Sequence, residues 1–253
     1  MQPFKNILII VNDENTPALT EAATLARNTG ARLTVATVVE KLSDYLPTAV
    51  KSASIQSLSE NLIAARTEQL ARMAAPLKDE GLQISVRVLS GTPFLEIIRE
   101  VLRADHDLVM ITPYEKGALR PLAFGSTILH LMRKCPCPVW AVKSPQGRFS
   151  RIMAAVDPVP ADAERNSLNF KIMDIAAALA RIEGAELHIW HTWVLYGEHL
   201  LKGPWFNLSS SEINRLRGET RKEHQQYLSD LLRNYDLTDV NHPSTFPKVT
   251  RQC

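Results

Sequence analysis

The sequence predicts an α/β protein, with an open, doubly wound, mainly parallel five-stranded sheet followed by a partial second copy. Short continuous apolar runs alternate with helical patterns, which is typical of strands buried on both faces of a parallel sheet. The same order of strand, polar turn, helix and strand starts again near residue 151. With 45% hydrophobic and 22% charged residues, the composition is that of an ordinary globular protein.

Five apolar runs are expected to form the strands of the first copy: Ile7–Val11, Leu33–Val39, Gln83–Leu89, Asp107–Thr112 and Val139–Val142. Pro17 suits the first turn of the first helix, and Gly30 suits its end. A long second helix is expected over residues 57–80, with Pro76 kinking or shortening it. Two shorter helices are expected before the fourth and fifth strands.

The second copy begins with RIMAAVD at Arg151, which repeats NILIIVN at Asn6. AELHIWHTWV likewise repeats ARLTVATVVE, and a long helix is expected from Ser211 to about residue 234. The tail NHPSTFPKVTRQC has no strand or helix pattern. We therefore expect domains at residues 1–146 and 147–253, the second being incomplete with the order β-α-β-α only. A natural short domain and a truncation or frameshift both explain this ending.

Charge and hydropathy exclude several classes of protein. Lys and Arg number 29 against 27 Asp and Glu, a net charge of +2, so the basic excess of a non-specific nucleic-acid binder is missing. Apolar runs are shorter than the roughly 18 residues of a membrane span. The first run stops at Asn12, too soon for a signal peptide. Three cysteines form no framework, so a cytoplasmic protein is expected, with Cys135 and Cys137 in a structural turn.

The order of elements, the internal repeat and a loop ending in Gly-Ser-Thr resemble the universal stress protein family, and the tandem arrangement resembles its E-type members. The resemblance covers Lys5 to Lys143 and is densest in GTPFLEIIREVLRADHDLVMI and HLMRKCPCPVWAVK. In the second copy it covers about residues 151–235. It implies the Usp fold, a role in stress response and, in some members, nucleotide binding.

Nucleotide-binding members of that family carry a loop of the form GxxG-x9-G[S/T]. Gly125 and Ser126 match its last pair, and Thr127 can add a hydroxyl. Backbone amides at such a helix start favour phosphate. The two earlier glycine positions hold Thr112 and Glu115, and a carboxylate beside a triphosphate repels it. A plain helix cap is the alternative interpretation of Gly125 to Thr127.

The resemblance implies further contacts at the strand ends. The family's ribose-binding Asp corresponds to Asn12, with Asp13 next to it, and the backbone of Val38 and Val39 would face adenine. The second copy keeps an Asp, Asp157, but has no phosphate loop. For these polar residues, capping between strand and helix is the alternative. We expect neither catalytic residues nor a bound metal, because GxSxG, HExxH and GxxxxGK[ST] are all missing.

Three hypotheses of function follow. The first is a non-catalytic regulatory or scaffolding protein of the stress response, with weak or absent nucleotide binding. The second is an ATP or AMP binder with slow hydrolysis, with Mg²⁺ entering only with the nucleotide. The third is a carrier of an apolar ligand such as a lipid. We expect either a homodimer formed through the first domains or completion of the second copy in trans. A regulatory protein is a further expected partner, whereas a nucleic acid and a membrane are not.

Overall fold

The computed structural model describes residues 4–12, 17–40, 53–113, 125–143, 148–159, 162–206 and 208–245. The chain forms two compact units, residues 2–146 and residues 147–253. They are called the first unit and the second unit below.

The first unit contains nine of the described elements, whose order alternates strand and helix throughout. They are β1 (Asn6–Ile10), α1 (Pro17–Thr29), β2 (Arg32–Val39), α2 (Ala53–Asp79), β3 (Ile84–Ser90), α3 (Pro93–Ala104), β4 (Leu108–Ile111), α4 (Ser126–Lys134) and β5 (Val139–Ala141). The five strands form one sheet in the order β3-β2-β1-β4-β5, and every pair in it is parallel. The predicted α/β fold with a doubly wound, parallel five-stranded sheet is confirmed.

Side chains alternate along each strand, so β1 places apolar residues on both faces of the sheet. Leu8 and Ile10 pack on one face with Ile97 of α3 and Leu131 of α4, in a cluster of buried apolar residues. Their neighbours Ile7 and Ile9 point to the opposite face and are equally buried. Helix α1 has a buried stripe of small and apolar residues, Ala18, Ala22, Ala23, Leu25 and Ala26. Strand β1 is therefore buried along its whole length.

Helix α2 differs from its expected bounds. It begins at Ala53, before the expected start, and it continues through Pro76 to Asp79. The proline lies in the last turn, where the Pro76 carbonyl still accepts a hydrogen bond from the Glu80 amide at 3.2 Å. A proline this close to the end removes one backbone donor without ending the helix.

The second unit repeats the first three-strand arrangement in a smaller form. Its described elements are β6 (Arg151–Ala155), α5 (Ala163–Glu183), β7 (Glu186–Trp190), α6 (Glu198–Leu201), α7 (Ser210–Leu232) and β8 (Ser244–Thr245). The strands are parallel in the order β6-β7-β8, which corresponds to β1-β2-β3. Its core includes Met173 of α5, Leu187 and Ile189 of β7, and Leu228 of α7.

The expected order β-α-β-α for the second unit is wrong, because it omits the short helix α6 and the strand β8. Before β8 begins, the tail accepts two hydrogen bonds from β7. The Leu187 amide donates to the Asn241 carbonyl at 2.8 Å, and the Ile189 amide donates to the Pro243 carbonyl at 3.2 Å. Proline lacks a backbone N–H donor but keeps its carbonyl, so it can accept a hydrogen bond at this position beside a strand. A pattern search for apolar runs cannot detect such pairing.

Candidate functional site

The site predicted from the sequence lies where the strand order of the first unit reverses. After β3 the chain returns to the other side of β1, where β4 pairs with it and Ile10 lies opposite Ile111. In open α/β sheets, ligands bind in the crevice beyond the carboxyl ends of the two strands at such a switch point. Thr112 follows β4 directly, and Asn12 follows β1 after one intervening residue, Val11. The topology therefore brings them to one edge of the sheet.

The Thr112 side chain forms a hydrogen bond within the first unit. Its Oγ1 accepts a hydrogen bond from the Ala18 amide at 3.2 Å. Ala18 is the second residue of α1, whose first amides have no carbonyl partner within the helix. Thr112 thus caps α1, and its hydroxyl oxygen faces that helix.

Asn12 is exposed, one residue beyond the buried Val11. The Val11 amide donates to the Ala36 carbonyl at 2.9 Å, so the ladder between β1 and β2 continues to the residue before Asn12. The side chain of Asn12 is therefore at the crevice edge and open to solvent. Asp13 and Glu115 lie outside the described residues.

The backbone at the end of β2, where the resemblance implies an adenine contact, already forms a hydrogen bond within the protein. The Val39 carbonyl accepts a hydrogen bond from the Gly91 amide at 3.0 Å, and the Val38 side chain packs against the buried apolar cluster. Gly91 has a φ of +143°, and a Cβ there would approach Glu96 Oε1 to 2.7 Å. Glycine at position 91 allows this turn, which brings the start of α3 to the end of β2.

Helix α4 begins with the Gly-Ser-Thr sequence that matches the family loop. Gly125 is its N-cap residue, with φ −60° and ψ 159°, and no side chain of the described residues caps the helix start. Gly125 and Ser126 are exposed, Thr127 is half-buried, and the first turn contains no acidic residue. The first amides of α4 and the positive end of its dipole therefore suit an anion.

In the second unit, Asp157 occupies the position after β6 that Asn12 occupies after β1. Its carboxylate accepts a hydrogen bond from Arg165 Nη2 at 2.5 Å. Its backbone exchanges two hydrogen bonds with the buried Asn169 side chain, at 2.9 and 3.0 Å. Asp157 is thereby bound to α5 through the side chains of Arg165 and Asn169, whereas the N-cap residue of α5 is Asp162.

A pair of histidines follows the same edge of the second sheet. His191 is fully buried, and its Nδ1 lies 3.0 Å from the Val156 carbonyl, so Nδ1 carries the proton and donates. The neutral ring then accepts at Nε2, where His224 Nδ1 lies at 2.9 Å and donates. Burial lowers the pKa of His191, and the charge of His224 adds to this, whereas the Val156 carbonyl and Asp157 oppose it. No sequence pattern indicates this pair, because His191 and His224 lie 33 positions apart and only the packing of α7 brings them together.

A polar groove of about 460 Å³ lies at the opposite, amino end of the first sheet. Its lining includes Arg87, the buried Glu100 and the buried His106. Neither ring nitrogen of His106 has a hydrogen-bond partner among the described residues, and Glu100 Oε1 is 4.0 Å from Nε2. Burial lowers the pKa of His106 despite the opposing effects of the Asn6 backbone and Glu100. None of the predicted site residues lines this groove.

The described part of the chain contains no group of three or more His, Cys, Asp or Glu side chains placed to hold a metal ion. No helix within the described ranges is long and apolar enough to cross a membrane.

The crevice at a topological switch point and the glycine-led helix beside it define an α/β protein of the universal stress protein type. The family model for the universal stress protein family matches residues 3–143, so the chain belongs to this family. Its curated relatives include Universal stress protein E of Salmonella typhi and of Escherichia coli strain K12. Each is 28% identical to the chain over 194 residues, or 75% of its length. The chain spans about three-fifths of these relatives, 62% and 61%.

A solved structure shows the same fold over more of the chain. It is a protein of Pseudomonas aeruginosa UCBPP-PA14 described as a universal stress protein, with a TM-score of 0.61 and 19% identity. The match covers 96% of the present chain and 75% of that protein. At this identity the likeness concerns the fold.

The first prediction tests the role of Thr112 as a cap. We expect Thr112→Val to lower the free energy of unfolding by about 1–2 kcal/mol, because the Ala18 amide loses its acceptor. Thr112→Ser keeps the hydroxyl and should lose less than half of that. Urea unfolding of the three proteins measures the difference. Equal stability of the Val variant and the wild type would contradict the capping role.

The second prediction concerns acid sensitivity. The folded pKa of His191 is lowered, so its contribution is complete above the unfolded value of about 6.5 and is lost as the pH falls through the folded pKa. The free energy of unfolding should therefore decrease as the pH falls from about 6.5 to about 5. His191→Asn should flatten this dependence, although it also lowers stability at neutral pH. Tryptophan fluorescence in urea reports both.

The exposed His199→Asn is the matched control for His191, and it should leave the pH dependence of the wild type unchanged. His106 contributes a dependence of the same sign, so the His191 variant keeps part of the slope. A slope identical to that of the wild type would show that His191 does not titrate with unfolding.

Proposed function

We propose that this chain is a cytoplasmic, non-catalytic stress-response protein that regulates or scaffolds a protein partner and binds nucleotide weakly or not at all. The observation that carries the proposal is the Thr112 hydroxyl, which caps α1 at a position where nucleotide-binding members have glycine. The engaged Val39 carbonyl supports it, since the proposed adenine contact is already used by Gly91. Two free thiols, Cys135 and Cys137, suit a reducing compartment, which cell fractionation would test.

We further propose that the second unit is an incomplete second universal stress protein domain over residues 147–253, following a first domain over residues 1–146. The parallel order β6-β7-β8 supports this, because it repeats β1-β2-β3. Asp157 is then the remnant of a ribose-binding position whose carboxylate now pairs with Arg165 of α5.

A second candidate function, ATP or AMP binding with slow hydrolysis, is favoured by one observation. The start of α4 at Gly125 lies after the loop that leaves β4, and no described side chain caps it. Asn12, with Asp13, would then contact the ribose, Ser126 and Thr127 the phosphates, and Mg²⁺ would enter only with the nucleotide.

The third prediction separates the two candidates. In calorimetry with ATP, with and without Mg²⁺, we expect a dissociation constant weaker than about 100 µM, which is a binding free energy weaker than about −5.5 kcal/mol. Gly125→Asp should abolish any binding, because its carboxylate takes the place of the anion at the helix start. A Cβ atom at position 125 would meet no described atom within 4 Å, so the substitution causes no clash at that atom.

Gly125→Asn is the matched control for Gly125→Asp, because it caps the helix without adding charge. Both variants should raise the stability by a few tenths of a kcal/mol, and only Gly125→Asp should remove binding. ATP binding tighter than about 100 µM that is lost in Gly125→Asp would overturn the first proposal in favour of the second.

The fourth prediction concerns assembly. We propose a homodimer through β5, a three-residue strand at the sheet edge whose residues are all half-buried, because an unpaired edge favours pairing with a second chain. Sedimentation equilibrium should give the mass of a dimer. Trp140→Lys on β5 should shift it toward the monomer, whereas Trp205→Lys, which alters a side chain 91% exposed in the second unit, should not. A monomeric wild type, or a dimeric Trp140 variant, would contradict this interface.

A further inference from the structure

Two cysteines lie together where α4 ends and β5 begins. Cys135 is the C-cap residue of α4, and Cys137 precedes Pro138 and β5. Their sulfur atoms are 3.6 Å apart, and both thiols are free. Both side chains are partly exposed, so a small reagent in water can reach them.

The backbone between the two residues holds the thiols on one side. Cys135 has an extended conformation, φ −70° and ψ 132°. Pro136 fixes its own φ near about −65°, so the connection is stiff. A disulfide requires the sulfurs to come about 1.5 Å closer, to a bond length of about 2.05 Å, which side-chain rotation can provide.

The pair is chemically unequal. The two thiols share a hydrogen bond, and this interaction lowers the pKa of Cys135 to about 7 in spite of burial. The same interaction, together with burial, raises the pKa of Cys137, and Asp107 adds to this. Of the other charged groups nearby, Arg133 and Lys134 are exposed on the last turn of α4, and the Lys134 ammonium lies 5.6 Å from the centre of the Phe94 ring. Cys135 is therefore the nucleophile of the pair.

We infer that Cys135 and Cys137 form a reversible dithiol–disulfide site that reacts with small disulfides of the glutathione class. The Cys135 thiolate attacks one sulfur of glutathione disulfide, which forms a mixed disulfide and releases one glutathione thiolate. Cys137 then loses its proton and attacks Cys135 Sγ, which releases the second glutathione. The two thiols lose two electrons and two protons, and glutathione disulfide is reduced to two glutathione molecules.

The coupling between the thiols also explains how the second step proceeds. In the mixed disulfide Cys135 carries no negative charge, so the interaction that raises the pKa of Cys137 is gone. Cys137 can then ionise more easily and attack the neighbouring sulfur. Such reversible reactions are the form in which disulfides occur in reducing compartments.

The fifth prediction tests this site by intact-mass spectrometry. All test proteins carry Cys253→Ser, because Cys253 is the third cysteine and lies outside the described residues. With excess glutathione disulfide, the protein should lose two hydrogens and keep no glutathione, and dithiothreitol should reverse this. The reaction rate should rise with pH, with an apparent pKa near the value of about 7 for Cys135.

Cys137→Ser is the matched control, because its hydroxyl can still donate to Cys135 but cannot resolve the mixed disulfide. It should accumulate one glutathione per chain. Cys135→Ser should react about tenfold more slowly, since an ordinary thiol is less ionised and its greater nucleophilicity compensates only in part. The inference is overturned if the protein with both cysteines retains glutathione as the Cys137 variant does, or if both thiols stay free in excess oxidant.

Discussion

The structure of the first unit depends on the burial of β1. All five residues of this strand are buried, and it pairs in parallel with β2 on one edge and β4 on the other. Parallel neighbours cannot be joined by hairpins, so each connection crosses a face of the sheet as a helix. The chain must therefore leave β1 on one side and return to it on the other. The strand order therefore determines where the crevice lies, independently of any ligand. Asn12, Thr112 and Gly125 follow or precede elements that end at this edge of the sheet.

Polar side chains that follow the strands form hydrogen bonds to helices of the same unit. A hydroxyl at position 112 gives α1 an acceptor for an amide that would otherwise have none, which a glycine at a phosphate loop would not do. In the second unit Asp157 is bound by Arg165 and Asn169 at the start of α5. A residue just beyond a strand thus forms hydrogen bonds to a neighbouring helix in both units. Polar groups used in this way are less available to a ribose or a phosphate.

Much of the fold could be predicted from the sequence because β-branched runs and helical spacing are local signals. The strand β8 could not, since its pairing relies on the carbonyls of Asn241 and Pro243 and needs no apolar run. In the candidate site, the resemblance to the family located Gly125 but gave no role in capping for Thr112. That contact joins residues 94 positions apart in the chain, and only the packing of α1 against the sheet creates it.

Helix α4 connects the candidate anion site with the thiol pair, and its dipole acts differently at the two ends. At Gly125 the positive end favours a phosphate, whereas at Cys135 the negative end disfavours a thiolate. An isolated cysteine at this helix end would therefore remain largely protonated near neutral pH. The hydrogen bond between the two thiols acts in the opposite direction and lowers the pKa of Cys135 to about 7. The second thiol is thus required twice, first to generate the nucleophile against the helix dipole and then to resolve the bond that the nucleophile forms.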